Sequence, residues 1–264
     1  MCVKCVIVYI YYYLLNYKIY STEKKINSNS MFICEDNLIY IKTLSANSVE
    51  FIYFDPPFGI TEAEYDKSLD WTNLWTEMWR VLKPRGTIAI HSSQPFTFDL
   101  VISQRKHFKY NWYWDKTSKT GHLFSKKQPM RKIEEICVFY KGGNNYYPQT
   151  ILKDKPIKKF NTKGSYYSRT QEDKLFTTTH SYPDHLLNFK RRSHKYSTRP
   201  VALCEYMINT YTKENDLVLD LTCSDGQSAI ACKNLNRNYI GVDRDSQMIA
   251  DAIKNLTNAF QLIG

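Results

Sequence analysis

A short apolar run that stops on an acid and two prolines constrains this chain most. Phe51-Ile-Tyr-Phe-Asp-Pro-Pro-Phe-Gly59 follows directly on Val49 and Glu50. Val49 to Phe54 has the length and the aromatic, β-branched composition of a buried strand, and the prolines bound it. Proline lacks an N–H and fixes φ, so the chain after Asp55 is stiff and its carbonyls point outward. Asp55, Pro56, Pro57 and Phe58 are therefore expected to cluster at the carboxyl end of a strand, where open α/β sheets bind ligands. A carboxylate and a carbonyl both accept from a planar amino group, and an aromatic ring stacks on the ring that carries it. A plain β-turn with Asp at its first position would use the same residues.

A second unit lies toward the other end. Leu217-Val-Leu-Asp-Leu221 reads as a strand, Gln227 to Leu235 as a helix, and Tyr239-Ile-Gly-Val-Asp243 as a strand before a final helix from Ser246 to Phe260. A strand, loop, helix and strand ending in acid is the form that binds an adenosyl group. Pro200 opens the preceding helix, where its missing N–H costs nothing. Nearer the start, Phe32 to Asp36 is a short strand ending in acid, followed by a helix from Asn37 to Ser45. Asp66 to Leu82 is an amphipathic helix whose Trp71, Leu74, Trp75, Met78, Trp79 and Leu82 share one face, a pattern of core packing. Lys83-Pro-Arg-Gly86 ends it. Thr87 to His91 is the next strand, Phe98 to Arg105 a helix, and Phe108 to Trp114 and Ile133 to Tyr140 two further strands. Lys116 to Pro129 reads as a basic loop over the rim.

Charge divides the chain. Gln104 to Arg199 carries 22 Lys and Arg against 7 Asp and Glu, while the remainder holds 14 against 19. The basic stretch is rich in Tyr, Phe and Trp, and basic residues interleaved with aromatics suit a polyanion whose bases can be stacked. Residues 141–192 lose periodicity, and a connection this long inside a compact domain is functional or disordered. The seven cysteines are scattered, with Cys2 and Cys5 the one Cys-x-x-Cys pair. That pattern favours a reducing compartment over a disulfide framework and gives no metal site. Cys5 to Tyr17 is apolar but too short to span a bilayer. Residues 1–30 are read as a dispensable extension, with Met31 opening the domain.

Taken together, these blocks resemble the β-class of DNA amino-methyltransferases, circularly permuted enzymes that carry Asp/Asn/Ser-Pro-Pro-Tyr/Phe/Trp ahead of the cofactor unit. The similarity is greatest to phage-type adenine-N6 DNA methyltransferases. It runs from about Met31 to the C-terminus and includes Val81-Leu-Lys-Pro84, Ser93-Gln-Pro-Phe96, Lys127-Gln-Pro129, Val138-Phe-Tyr-Lys141, Arg199-Pro-Val-Ala-Leu203 and Ala231-Cys-Lys-Asn234. The resemblance implies an α/β, Rossmann-like S-adenosylmethionine-dependent methyltransferase fold, a mixed seven-stranded sheet with helices on both faces. It implies a catalytic half at 31–140, a basic target-recognition insert at 141–192 and a cofactor half at 193–264. The substrate is then an adenine N6 amine in double-stranded DNA, flipped into a pocket formed by Asp55, Pro56, Pro57 and Phe58. Asp36 would contact the cofactor adenine and Asp243 the ribose. The loop after Asp220, with Thr222, Ser224 and Gly226, would cradle the methionine end, and Ser197 and Arg199 stand where the family has His-Pro-Thr-x-Lys-Pro. A homodimer is allowed, no membrane partner is expected, and the expected location is cytoplasmic or wherever viral or bacterial DNA resides, not secreted.

The loop departs from the family. Asp220-Leu-Thr-Cys-Ser-Asp-Gly-Gln-Ser228 has Ser224 in place of the first glycine and Asp225 in place of serine. The alternatives are therefore a catalytically lapsed DNA-binding protein of the same fold, or an N4-cytosine or RNA amine methyltransferase. Asp rather than Ser before the two prolines favours adenine.

Overall fold

The computed structural model describes residues 22–25, 29–59, 66–67, 69–161, 174–192 and 199–261. The strands, in chain order, are β1 (Thr22–Lys25), β2 (Ser30–Cys34), β3 (Val49–Phe54), β4 (Leu82–Ser92), β5 (Phe108–Thr120), β6 (Arg131–Phe139), β7 (Ile151–Asn161), β8 (Lys174–Ser181), β9 (Leu186–Asn188), β10 (Leu217–Asp220) and β11 (Asn238–Asp243). The helices are α1 (Asn37–Ile41), α2 (Trp71–Val81), α3 (Phe96–Ser103), α4 (Val201–Tyr211), α5 (Gln227–Asn234) and α6 (Ser246–Gln261).

One large sheet runs in the order β1-β2-β11-β10-β3-β4-β6-β5-β9. It has nine strands, two more than expected. The extra two are its edges: β1 pairs antiparallel with β2, and β9 pairs parallel with β5. The sheet thus begins inside the segment read as an extension. β2, β11, β10, β3 and β4 are parallel, and β6 is antiparallel to both β4 and β5.

Strand alternation splits the core into two layers. Phe51 and Tyr53 face α4, α5 and α6, packing with Met207, Tyr211 and Ala229. Ile52 and Phe54 face α1, α2 and α3, packing with Ile41, Leu74, Met78 and Leu100. Both strand faces are buried, which is why β3 reads as a continuous apolar run. The expected helix over Asp66–Leu82 spans Trp71–Val81, because Asp70 caps it, accepting from the Asn73 N–H at 3.1 Å. The tail Lys83-Pro-Arg-Gly86 does not fall in a turn. β4 starts at Leu82 and runs through it, with a register shift against β3 between Val49 and Phe51. The expected basic loop is also shorter, since β5 continues to Thr120. Residues 151–161 and 174–181 form a separate two-stranded ribbon, β7 with β8.

Parallel strands share a direction, so Asp36, Asp55, Ser92, Asp220 and Asp243 all reach the same rim of the sheet. No helix among the described residues is long and apolar enough to cross a membrane.

Candidate active site

Asp55 leaves β3 at the centre of this rim. Its backbone is fixed by Thr222, whose hydroxyl oxygen accepts from the Asp55 N–H at 3.0 Å and whose O–H donates to the Asp55 carbonyl at 3.0 Å. The two strand ends are thereby stitched together, and the first residues of the cofactor-type loop set the height of the acid. Arg199, at the entrance to α4, donates through Nη2 to Asp55 Oδ1. Asp55 Oδ2 has no protein partner among the described residues, and the side chain keeps 28% exposure. Pro56 is buried, while Pro57 and Phe58 are half-buried. The Phe58 ring stacks on Phe96 at 5.5 Å between centroids and 19° between planes, and Phe96 leans on Trp71 at 5.5 Å.

Arg199 is the hub of a buried polar group that the sequence did not announce. Its Nε donates to His91 Nδ1 at 3.1 Å, its Nη2 lies 3.2 Å from Glu134 Oε2, and its guanidinium carbon sits 5.4 Å from the centre of the Trp114 ring. An arginine nitrogen only donates, so His91 Nδ1 accepts and the ring proton is on Nε2. That proton points to Tyr53 Oη at 2.6 Å. Burial, with the charge of Arg199, holds the His91 pKa well below its ordinary value, so the ring stays neutral. Burial pushes the Asp55 carboxyl up to about 6, against the pull of Arg199 and with a further push from Glu134. Burial also acts to raise Glu134, but Arg199 and Lys116 outweigh it and its pKa is lowered.

The loop between β10 and α5 is built differently. Asp220 Oδ1 accepts from the Thr222 N–H at 3.0 Å and Oδ2 accepts from the Ser228 hydroxyl, so both oxygens serve the loop itself. Ser224 adopts φ 47°, the left-handed conformation that glycine usually supplies. Its N–H donates to Asp243 Oδ2 at 3.0 Å, while Asp243 Oδ1 accepts from Asp245 N–H at 3.0 Å. Each carboxylate oxygen has a second lone pair, so Asp243 retains acceptors toward the rim. Gly226 has φ 81°, and a Cβ there would lie 2.9 Å from Ala252 Cβ, so only glycine fits. Asp225 is 1% exposed. Its Oδ2 takes Arg192 at 3.0 Å and Gln227 at 3.1 Å, and its Oδ1 is buried without a hydrogen-bond partner.

Asp55, Arg199, Asp220, Thr222, Ser224 and Asp225 are among the residues lining one cavity of about 80 Å³. That is far below the roughly 300–1,000 Å³ of a full ligand pocket, so it takes one end of a ligand only. A larger cavity of about 650 Å³, between Tyr110, Tyr146 and His185, shares no lining residue with it and lies away from these carboxylates.

The structure therefore brings together Asp55, Arg199, Asp220, Thr222 and Ser224, with Asp243 bonded to the same loop. Arg199 bonds to Asp55 directly and lines the same cavity. Asp36 caps α1, its Oδ1 accepting from Leu38 and Ile39 N–H at 2.9 and 3.2 Å. Ser197 lies outside the described residues. Phe96 closes the Ser93-Gln-Pro-Phe96 match, whereas His91, Glu134 and Lys116 reach the site from three strands and were not marked as site residues by any local motif.

Residues 49–254 match the DNA methylase family, and this chain belongs to it. It is 28% identical over 247 residues to the type II methyltransferase M.HpaI of Haemophilus parainfluenzae, covering 86% of this chain and 74% of that one. Among solved structures it resembles the M1.HpyAVI–SAM complex, with TM-score 0.58, 20% identity and coverage of 86% of this chain and 100% of that one. It also resembles the PvuII cytosine-N4-specific DNA methyltransferase, with TM-score 0.63, 16% identity and coverage of 92% and 96%.

Proposed function

We propose that this chain transfers a methyl group from S-adenosylmethionine to the N6 amine of adenine in double-stranded DNA. The observation that carries this reading is Asp55 Oδ2 at the end of β3, an acceptor without a protein partner among the described residues on a side chain that keeps 28% exposure, beside the Phe58–Phe96 stack; the carbonyl of Pro56, next in the chain, is assigned as the second acceptor. An exocyclic amine has two hydrogens in one plane, and two adjacent acceptors with an aromatic platform match it. The amine is unreachable in a paired duplex, so the base enters the site extruded.

The residues present fit the cofactor. Asp225 Oδ1 is a buried acceptor without a donor, at the wall of the small cavity. An ammonium group supplies that donor, so the amino-acid end of S-adenosylmethionine belongs there. Ser224 in the left-handed region gives the loop the turn that glycine gives elsewhere, Asp243 receives the ribose hydroxyls, and Asp36 borders the adenine. When bound, the cofactor supplies an electrophilic methyl on a sulfonium.

The protein's own part is positioning and electrostatics. Asp55 Oδ2 and the Pro56 carbonyl accept the two N–H bonds and turn the nitrogen lone pair out of the base plane. Positive charge develops on that nitrogen during attack, and fixed acceptors in a water-poor site stabilise it. Asp55 acts as orienter and counter-charge, and the proton that the methylated nitrogen then sheds passes through its carboxylate to solvent. The β7–β8 ribbon carries Lys153, Lys155 and Lys158, and with the exposed Lys190 it offers phosphate contacts.

The test is incubation of the protein and S-adenosylmethionine with unmethylated DNA, followed by mass spectrometry of the nucleosides. N6-methyladenine is the expected product. N4-methylcytosine, the chemistry of the PvuII enzyme, would overturn the choice of base. DNA binding without any methylated base would overturn the reading as an enzyme.

A further inference from the structure

We propose that Glu134 is a positioning residue for the transfer, holding Arg199 so that it takes only one oxygen of Asp55 and leaves the other to the substrate amine. This rests on the reading of Asp55 above.

Glu134 stands on β6 opposite Trp114 of β5. Its Oε1 accepts from Lys116 Nζ at 2.9 Å. Its Oε2 lies 3.2 Å from Arg199 Nη2, is buried, and makes no hydrogen bond of good geometry. The same Nη2 donates to Asp55 Oδ1. One nitrogen is thus drawn from two sides, by Asp55 and by Glu134. The side chains of Lys116, Arg199 and Glu134 are 3, 10 and 14% exposed. Lys116 and Arg199 thus pair with Glu134 and Asp55, with the charge of Arg191 also acting on Glu134, and unpaired charge in such a place is costly.

An arginine beside a lone carboxylate tends to fork onto both of its oxygens. Here His91 holds Nε and Glu134 draws on Nη2, so the fork does not form and Asp55 Oδ2 stays open. Without the Glu134 charge, the set is left with an excess cation and Asp55 as its one carboxylate. Arg199 then closes on Asp55, and the acceptor needed by the amine is lost. The titratable and charged groups near Asp55 are Tyr53 on β3, His91 on β4, Glu134 on β6, Asp220 on β10, Cys204 on α4 and Arg199 itself. Of these, Glu134 is the acid whose charge acts most on Asp55, and it acts to keep the Asp55 pKa high.

The experiment compares wild type with Glu134→Gln, Glu134→Asp and the double variant Lys116→Met/Glu134→Gln. Methyl transfer and the carboxyl titration of Asp55 by NMR are both measured on the full chain. In Glu134→Gln, kcat is expected to fall at least 10-fold with the KM for S-adenosylmethionine within about twofold, and the Asp55 titration to move to lower pH. Glu134→Asp, which keeps the charge, should recover part of the rate. The double variant removes a buried ion pair as a pair, which proteins tolerate. It should fold and remain as slow as Glu134→Gln. Recovery of rate in the double variant, or a kcat within twofold of wild type in Glu134→Gln, overturns the proposal. If wild type itself transfers no methyl group, the reading of Asp55 fails separately. A crystal structure of Glu134→Gln then decides for Glu134 alone: Arg199 closed on both oxygens of Asp55 supports its hold on the pair, and an unchanged single contact overturns it.

Discussion

Asp55 and Asp220 are neighbours on one rim, and each is an acid at the end of a central parallel strand. Burial raises both, Asp55 to about 6 and Asp220 to about 7. Their hydrogen bonds differ. Asp220 gives one oxygen to the Thr222 N–H and the other to the Ser228 hydroxyl, and at 4% exposure its remaining lone pairs are less open to a ligand than those of half-buried Asp243. Asp55 gives one oxygen to Arg199 and keeps the other open. On the reading proposed above, burial alone does not mark the working acid. The unspent acceptor does, because a ligand can use only what the protein has left.

Substitution separates the two most sharply. Asp55→Ala should reduce methyl transfer on the order of 10²–10³-fold, as loss of one preorganised group does elsewhere, with S-adenosylmethionine binding nearly intact by calorimetry. Equal loss of cofactor binding would place Asp55 in the scaffold. Asp220→Ala should instead destabilise the fold by about 1–3 kcal/mol, because the Thr222 N–H and Ser228 hydroxyl lose a buried acceptor. Thermal unfolding reads this, and cofactor affinity should fall with it.

A smaller effect is expected in pH dependence. Asp220 has a folded pKa above its unfolded value, so folding takes up a proton. Its contribution to stability is fully present below about pH 4 and declines as pH rises through about 7. Denaturant titrations from pH 4 to 8 should show that decline, and Asp220→Asn should remove it. Asp55 behaves likewise with respect to stability, but its activity runs the other way. The carboxylate is the working form, so the rate should fall as pH drops through about 6.

Away from the rim, replacing Lys153, Lys155 and Lys158 by alanine should make DNA affinity less sensitive to salt. The slope of log affinity against log salt should fall by about one for each phosphate that is no longer neutralised. An unchanged slope would remove the ribbon from the DNA interface. The smallest change is expected for Ser224→Gly. Relief of the left-handed φ is worth about 1 kcal/mol and is offset by glycine's extra chain entropy, so stability should move by less than that.

What was legible in the sequence was whatever chemistry is local. The apolar run to Phe54, the two prolines, the helix face of Trp71 to Trp79 and the acids closing β10 and β11 all read correctly, because periodicity and chain breakers act over a few residues. Glycine at position 226 reads the same way. What was not legible is carried by pairing across the fold. Lys116 looked like the start of a solvated basic loop, yet it is buried because Glu134 on the next strand accepts from it. Arg199 was expected beside the cofactor, and it lines the small cavity, but its bonds to Asp55 and His91 span 144 and 108 residues and leave no local pattern to read. The edge strands β1 and β9 are too short to carry a period of their own, and their pairing with β2 and β5 is what defines them.

The central claim is that the open oxygen of Asp55 receives the amine, and a paired measurement tests it most directly. Wild type and Asp55→Asn are each saturated with S-adenosylmethionine, and single-turnover methylation of one DNA duplex is followed by nucleoside mass spectrometry. The account predicts N6-methyladenine from wild type, and from Asp55→Asn a rate lower by at least 10-fold with cofactor affinity within about twofold. Equal single-turnover rates from the two proteins would contradict it.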